Sequence, residues 1–459
     1  MAEPMEPYPP GPPPLRVWTP MRTVHLVRGM LANPADFVRR RFETYGDFYH
    51  VDEGRGSHLY VSRDPEVLEQ VLVTNASSFR KQGGAVDRLR TVLGNGLLIS
   101  DGELWRRQRR IMQPVFHLRM LQDQVAHVGR HVQALSWSDG DLIDASESML
   151  QLTLRIVCQT LFDHEVSQET DSVASTMEAV SLALAQGSWM PSWLPTPGTL
   201  RTRRSIRDID RLIAKMVSHR RASDDERTDL LSLLLDVEGG MSETQLRDEL
   251  VTLFLAGHET TAHALAWAWL MIAENPCAAE RMYAELDEVL EGRVPTLEDL
   301  PRLIWTNAVV DEALRLYPPA YVVPRVATED VEIKGHSISA GSQFALWIYH
   351  LQRHPKHFED PEAFRPERHL EPGPDRRIYL PFGRGARKCI GIGLALMEMR
   401  VILASIAQRY RLERVESEPV EAQFGVTISP RGGLPMKVRE RMPSRPARLG
   451  QRSPQKETA

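Results

Sequence analysis

From about Gly102 to Arg315, apolar residues recur at spacings of three and four along the chain. That period belongs to helices burying one face. The pattern breaks at Asp139-Gly140, between Trp189 and Gly198, and at Gly239-Gly240, where turn formers interrupt it. Upstream, PADFVRRRFETYG reads as a helix. The alternating runs DFYHV and HLYVS, joined by Glu53-Gly54-Arg55-Gly56, predict a small hairpin. Asp64-Pro65 opens another helix, PEVLEQVLV, with proline early as helices prefer. After Pro318 short β-like pieces (VEIKGHSI, SQFALWIY) alternate with proline-rich loops. A last helix follows Cys389, and FGVTISPRGGLPMKV reads as a closing hairpin. With no internal repeat and no linker splitting the body, the expectation is one large domain, mainly α with small β-sheets (α+β). It would comprise an extended proline-rich lead-in over residues 1–18, a body over 19–436 and a basic, disordered tail over 437–459.

The most apolar long stretch, Leu250 to Ala273, carries His258, Glu259, Thr260, Thr261 and His263 at its centre. Such groups are expensive in lipid, so the stretch predicts a helix buried in protein. The N-terminal segment has no apolar core of the kind a signal peptide or anchor needs. A net charge of −5 over 459 residues, 25% of them charged, argues against a general nucleic-acid binder. Three distant cysteines, Cys158, Cys277 and Cys389, permit neither a disulfide framework nor a zinc-type spacing. A cytoplasmic chain without a membrane anchor is expected.

The sharpest chemical feature is FGRGARKCIG, residues 382–391. Gly383 and Gly385 let the backbone turn tightly before Cys389, and Gly391 lets something flat approach closely. The helical run that follows puts Cys389 just before a helix N-terminus, where the dipole and free N–H groups favour a thiolate. Arg387 and Lys388 add positive charge. A cysteine nucleophile is the alternative reading, but no positioned histidine is evident, and a lone buried cysteine would need none of this setting.

Three further segments stand out. Glu312 and Arg315, in VVDEALRLYPP, lie three apart on one helical face and can pair. In AGHETT, residues 256–261, a mid-helix glycine costing about 1 kcal/mol adjoins a polar Glu259-Thr260 pair. This reads either as a functional indentation or as a threonine bonded back to its own turn beside a solvated glutamate. In DGELWRRQRRIMQPVF, Trp105 and Arg109 share a face, and arginine suits carboxylates.

FGRGARKCIG resembles, without a departure, the haem-binding loop of the cytochrome P-450 monooxygenases (FGxGxRxCxG). Glu312-Ala313-Leu314-Arg315, AGHETT and Trp105…Arg109 fall in the family's order, so the resemblance runs from about Pro9 to Met436. It implies a haem b whose iron is held by the Cys389 thiolate, a ligation that favours O–O cleavage in this family. By the same resemblance Trp105, Arg109, Arg325 and Arg387 hold the propionates, and Phe382, Gly391 and Ala256 adjoin the haem. Thr260 hydrogen-bonds dioxygen and Glu259 relays protons to it. The Glu312–Arg315 pair locks structurally to Arg368, or less fittingly Arg365, in PEAFRPERHL. A substrate pocket is implied around Leu97, Leu98 and Ile99, Phe254 and Leu255, Val322 and Val323, and Val426 to Ile428. These mostly apolar side chains favour a fatty acid, terpenoid or steroid.

No nicotinamide or flavin fingerprint occurs, so electrons are expected from a separate ferredoxin or flavodoxin. Arg106, Arg107 and Arg110, with Arg384 and Lys388, form a candidate basic docking patch on a monomer. A haem-thiolate peroxygenase or isomerase is the alternative, although peroxygenase relatives usually lack the acid–threonine pair. A haem-based sensor would need no proton relay and would usually carry an output module.

Overall fold

Ser242 begins the element around which the chain is organised. Its side chain accepts from the Gln245 N–H at 3.2 Å, the Ser-x-x-Gln spacing that starts helices. The helix it caps runs Glu243–Glu274 and is buried along nearly its whole length and around its circumference, as expected of a helix enclosed by others. The computed structural model describes residues 8–13, 29, 33–54, 56–116, 118–162, 197–222, 229–236 and 241–442.

In chain order the helices are α1 (Pro34–Tyr45), α2 (Gly84–Leu93), α3 (Gly102–Met112), α4 (Leu118–Gln133), α5 (Ala145–Phe162), α6 (Pro197–Arg221), α7 (Leu230–Leu235), α8 (Glu243–Glu274), α9 (Pro276–Leu290), α10 (Ile304–Leu316) and α11 (Ile392–Arg409), beside shorter turns. The strands are β1 (Phe48–Gly54), β2 (Ser57–Ser62), β3 (Phe79–Arg80), β4 (Leu142–Asp144), β5 (Val322–Ala327), β6 (Val331–Ile333), β7 (His336–Ile338), β8 (Gln343–Trp347), β9 (Tyr410–Arg414), β10 (Ala422–Phe424), β11 (Ile428–Pro430) and β12 (Pro435–Glu440). The predicted mainly helical chain with small, separate sheets is what forms. The largest sheet has the order β1-β2-β8-β5-β3, with β2 and β8 parallel.

The expected β1–β2 hairpin is present, Val51 opposite Leu59. Asp64 caps the next helix by accepting from the Glu66 N–H, with Pro65 in the first turn. Upstream, Pro10 lies against β1: its carbonyl accepts from the His50 N–H at 3.0 Å, and Tyr8 stacks on the His50 ring.

Packing of α8 against α5 explains Gly257. A methyl group there would sit 2.6 Å from Cγ2 of Val157, closer than carbon atoms tolerate. The residue that breaks helix propensity is thus one at which the two helices approach closely.

Two expectations are corrected. The closing hairpin is shorter than FGVTISPRGGLPMKV: Phe424 pairs with Ile428 across a tight turn, while β12 leaves to pair with β9 and β4. The ordered body also passes residue 436. Lys437 to Glu440 lie in β12, and buried Arg441 bonds Asp287 and the Tyr283 carbonyl. Residues 1–7, 14–28 and 443–459, most of the expected lead-in and tail, lie outside the described residues. So does the break expected between Trp189 and Gly198, up to residue 196.

Candidate active site

A cavity of about 430 Å³ lies between α8 and the loop before α11. Gly383 and Gly385 in that loop have φ of 69° and 71°, the left-handed region in which glycine is unstrained. Gly385 also passes close under the chain, since a Cβ there would fall 2.1 Å from the Leu72 carbonyl. The Cys389 N–H donates to the Phe382 carbonyl at 3.0 Å, closing the loop, and Cys389 stands two residues before Gly391, the N-cap of α11. Its thiol opens into the cavity and is enclosed by protein on its other sides. Burial pushes the thiol up, opposed by the Gly391 N–H and by Arg109, Lys81 and Lys388. A metal ion there would deprotonate it outright.

One wall is cationic. Lys81, Arg109, Arg325 and Arg387 line the cavity. Val323 and Arg325, two apart on β5, share a face as strand geometry requires. Arg387 pairs with Asp101, donates to the Ser100 carbonyl at 2.7 Å and lies 4.1 Å over the Trp105 ring. Its Nη1 is buried without a partner. Among the described residues Lys81, Arg109 and Arg325 make no ion pair. Burial and mutual repulsion lower the pKa of Arg325 to about 10, and burial, against Asp101, lowers Arg387 to about 10. Four cations around one carboxylate form a site short of negative charge. A haem fits on this ground: that wall would hold its two propionates, and Cys389 would offer the metal a soft ligand. Lys81 was not singled out from sequence because it stands far from the other cations along the chain, and Asp101, at the head of DGELWRRQRR, gave no sign of pairing with Arg387.

The opposite wall is α8. Leu253, Ala256, Gly257, Thr260, Thr261 and Ala264 face the cavity, at the three- and four-residue spacing of one helical face. Phe254, expected in the pocket, turns away: four residues before His258, it packs with that ring in the core. Ile428 is also withdrawn, fully buried with its carbonyl accepting from Trp267 Nε1 at 3.1 Å. Leu97, Leu98, Ile99, Leu255, Val322, Val323 and Val426 do line the cavity, together with Phe382 and Gly391.

Of the threonine bonded back beside a solvated glutamate, only the threonine half is what forms. The Thr260 hydroxyl donates back to the Ala256 carbonyl at 2.7 Å. Glu259, however, is buried and not solvated; its Oε1 accepts from the Thr427 hydroxyl at 2.7 Å. Thr427, at the turn of the β10–β11 hairpin, was not foreseen as its partner.

Glu312 and Arg315 are completely buried and joined by two parallel bonds of 2.8 Å, the fork geometry that makes arginine–carboxylate pairs strong. Arg315 also donates to the carbonyls of Gln352, Pro361 and Ala363. Glu312 accepts from Arg368 Nε at 3.3 Å, from the Arg365 backbone N–H at 2.9 Å and from His369 Nε2 at 2.9 Å. Burial would raise its pKa, but the bonds from Arg315 and His369 outweigh that and hold it below the usual value. Arg368 is placed as expected, Arg365 contributes only its backbone, and His369 had no signal beyond adjacency to Arg368.

The family model for cytochrome P450 matches residues 9–434. Cyclooctat-9-en-7-ol 5-monooxygenase of Streptomyces melanosporofaciens is 37% identical over 90% of this chain and 94% of its own length. Cyclooctatin synthase of the same organism is 36% identical over 82% and 86%. Pentalenene oxygenase of Streptomyces avermitilis is 34% identical over 83% and 88%. No helix among the described residues is long and apolar enough to cross a membrane.

Proposed function

The chain belongs to the cytochrome P450 family, and from that premise we propose that it inserts one oxygen atom of O2 into a C–H bond of a terpenoid. The observation that carries this reading is one cavity joining Cys389, the cationic wall and the Glu259–Thr260 segment of α8. A bound haem with a thiolate ligand supplies reductive activation of dioxygen. Cys389 would hold the iron of haem b, with the propionates at Arg109, Arg325, Arg387 and Trp105, joined by Lys81.

The chain's own residues supply position and protons. Thr260 presents a hydroxyl to the cavity, and Glu259 beside it, buried at the cavity wall, would take up and pass on a proton. Leu97, Leu255, Val322, Val323 and Val426 exclude water and orient an apolar substrate. Among fatty acids, terpenoids and steroids, the relatives favour a terpenoid, because two of them are named for oxidising one.

Electrons come from a separate ferredoxin- or flavodoxin-type protein. Exposed Arg106, Arg107 and Arg110 on α3 and exposed Lys388 form the docking face for an acidic partner. Arg106 and Arg384 contribute less, since they pair with Glu103 and Glu69. The body acts as one haem domain in a cytoplasmic monomer. The intact acid–threonine pair distinguishes this reading from a peroxygenase.

The test is the carbon monoxide spectrum of the dithionite-reduced protein, beside binding titrations with cyclic terpenes, fatty acids and steroids. A far red-shifted Soret band, lost in Cys389→Ala, with terpenes bound most tightly, is the expected result. A histidine-type band untouched by that substitution would overturn thiolate ligation.

A further inference from the structure

Glu259 does not stand alone behind the cavity. The Thr427 hydroxyl donates to its Oε1 at 2.7 Å, and the Thr427 oxygen in turn lies 2.9 Å from Nδ1 of His263. All three side chains are buried. Glu259 and His263 are four residues apart on α8, so both project toward the same stretch of the β10–β11 turn. That turn is pinned from several sides. Trp267 Nε1 donates to the Ile428 carbonyl, the Tyr321 hydroxyl donates to the Gly425 carbonyl at 2.9 Å, and the Gly425 N–H donates to the Thr427 carbonyl.

A hydroxyl has one proton to give. With that proton on Glu259, the contact to His263 is a hydrogen bond only if Nδ1 carries hydrogen and donates. The sequence of bonds is then His263 Nδ1–H to Thr427, and Thr427 O–H to Glu259 Oε1. Reversing it needs the histidine proton moved to Nε2, which is buried without a partner, so a bare donor would replace a bare acceptor. Unpaired buried donors are the rarer and costlier defect. His263 also stays neutral, because burial, with His258 nearby, lowers its pKa to about 3. It therefore serves as a fixed donor and takes up no proton itself.

We propose that Thr427, backed by His263, is a positioning residue that locks Oε1 of Glu259 as an acceptor and so directs any carried proton to Oε2. A proton on Oε1 would face the Thr427 hydrogen head-on. The carboxyl thus keeps one orientation and one working oxygen through each cycle of proton uptake and release. This inference rests on the reading of Glu259 as the proton carrier.

Two measurements on the haem-loaded protein test it. The first is the nitrogen spectrum of histidine-labelled protein in the diamagnetic ferrous carbon monoxide form, with the His263 signal assigned by its loss in His263→Gln. A neutral ring protonated at Nδ1 is expected in wild type and in Thr427→Ser. A ring protonated at Nε2 in wild type overturns the lock. The second uses cumene hydroperoxide, whose O–O bond cleaves heterolytically to cumyl alcohol when a proton is delivered, and homolytically to acetophenone when it is not. The alcohol-to-ketone ratio is expected to fall several-fold in Thr427→Val and in Glu259→Gln, with Thr427→Ser near wild type. A fall in Glu259→Gln without one in Thr427→Val overturns the positioning role. No fall in Glu259→Gln overturns the reading of Glu259 as carrier, while the histidine spectrum still decides whether the lock exists.

Discussion

Cγ2 of Val157 occupies the space that a side chain at Gly257 would need, 2.6 Å from where its first carbon would stand. Helix propensity alone says that Gly257→Ala should stabilise the protein by about 1 kcal/mol. Overpacking a close helix contact costs about 1–3 kcal/mol, and the second effect wins. The substitution is expected to lower the thermal midpoint, and Val157→Ala added to it should restore part of the loss. A double-mutant cycle by thermal unfolding checks both, and additive losses would contradict the contact.

The buried Glu312–Arg315 pair makes a sharper stability prediction. Removing one member leaves the other charge buried and uncompensated, a cost of about 3–5 kcal/mol. Glu312→Ala and Arg315→Ala should each fail to accumulate as folded protein or unfold at far lower urea concentrations. His369→Ala removes one bond of several to Glu312 and should cost only about 1–2 kcal/mol.

The cationic wall gives opposite signs in the two states of loading. Without haem, Arg387 suffers repulsion from Arg109 and Arg80, offset by Asp101. Arg387→Gln is expected to leave the haem-free protein as stable as wild type or more so, yet to speed haem loss from the loaded protein. Thermal melts with and without haem, and haem transfer to apomyoglobin, are the measurements. Destabilisation of both forms to the same extent would speak against a propionate role.

Glu249 ties α8 to the loop carrying Leu97, accepting that residue's N–H at 2.8 Å. Burial raises its pKa from 4.5 to about 8. Between those values the folded state keeps a proton that the unfolded state has lost. Stability therefore falls as pH rises through this window and is fullest below 4.5 as far as this group is concerned. Glu249→Gln, which keeps the acceptor for Leu97, should flatten the slope between about pH 5 and 8. Urea titrations across that range check it, and an unchanged slope would rule the group out.

Much of this was legible in the residues. FGRGARKCIG announced its turn and its helix through two glycines and a helical run, because backbone freedom and periodicity are local properties. Glu312 and Arg315 announced their pairing by spacing alone. What sequence could not give was convergence across the fold. Lys81, His369 and Thr427 reach their partners from distant segments, and nothing local marks which partner each one meets. Phe254 and Ile428 were misplaced for a related reason. Proximity in sequence to Ala256 or Thr427 says little about which face of a helix or hairpin a side chain takes, and here both turn into the core.

The segment around Pro10 has a consequence for handling the protein. β1 is the outer strand of the five-stranded sheet, and an uncovered outer strand is a template on which another chain can add. Pro9 is buried, Pro10 accepts from β1, and Gly11 lies so close to the His50 carbonyl that a Cβ there would overlap it. These residues act as a sleeve over that strand. Trimming the chain to Pro34 would bare it and invite edge-to-edge self-association, even with haem, pocket and core intact.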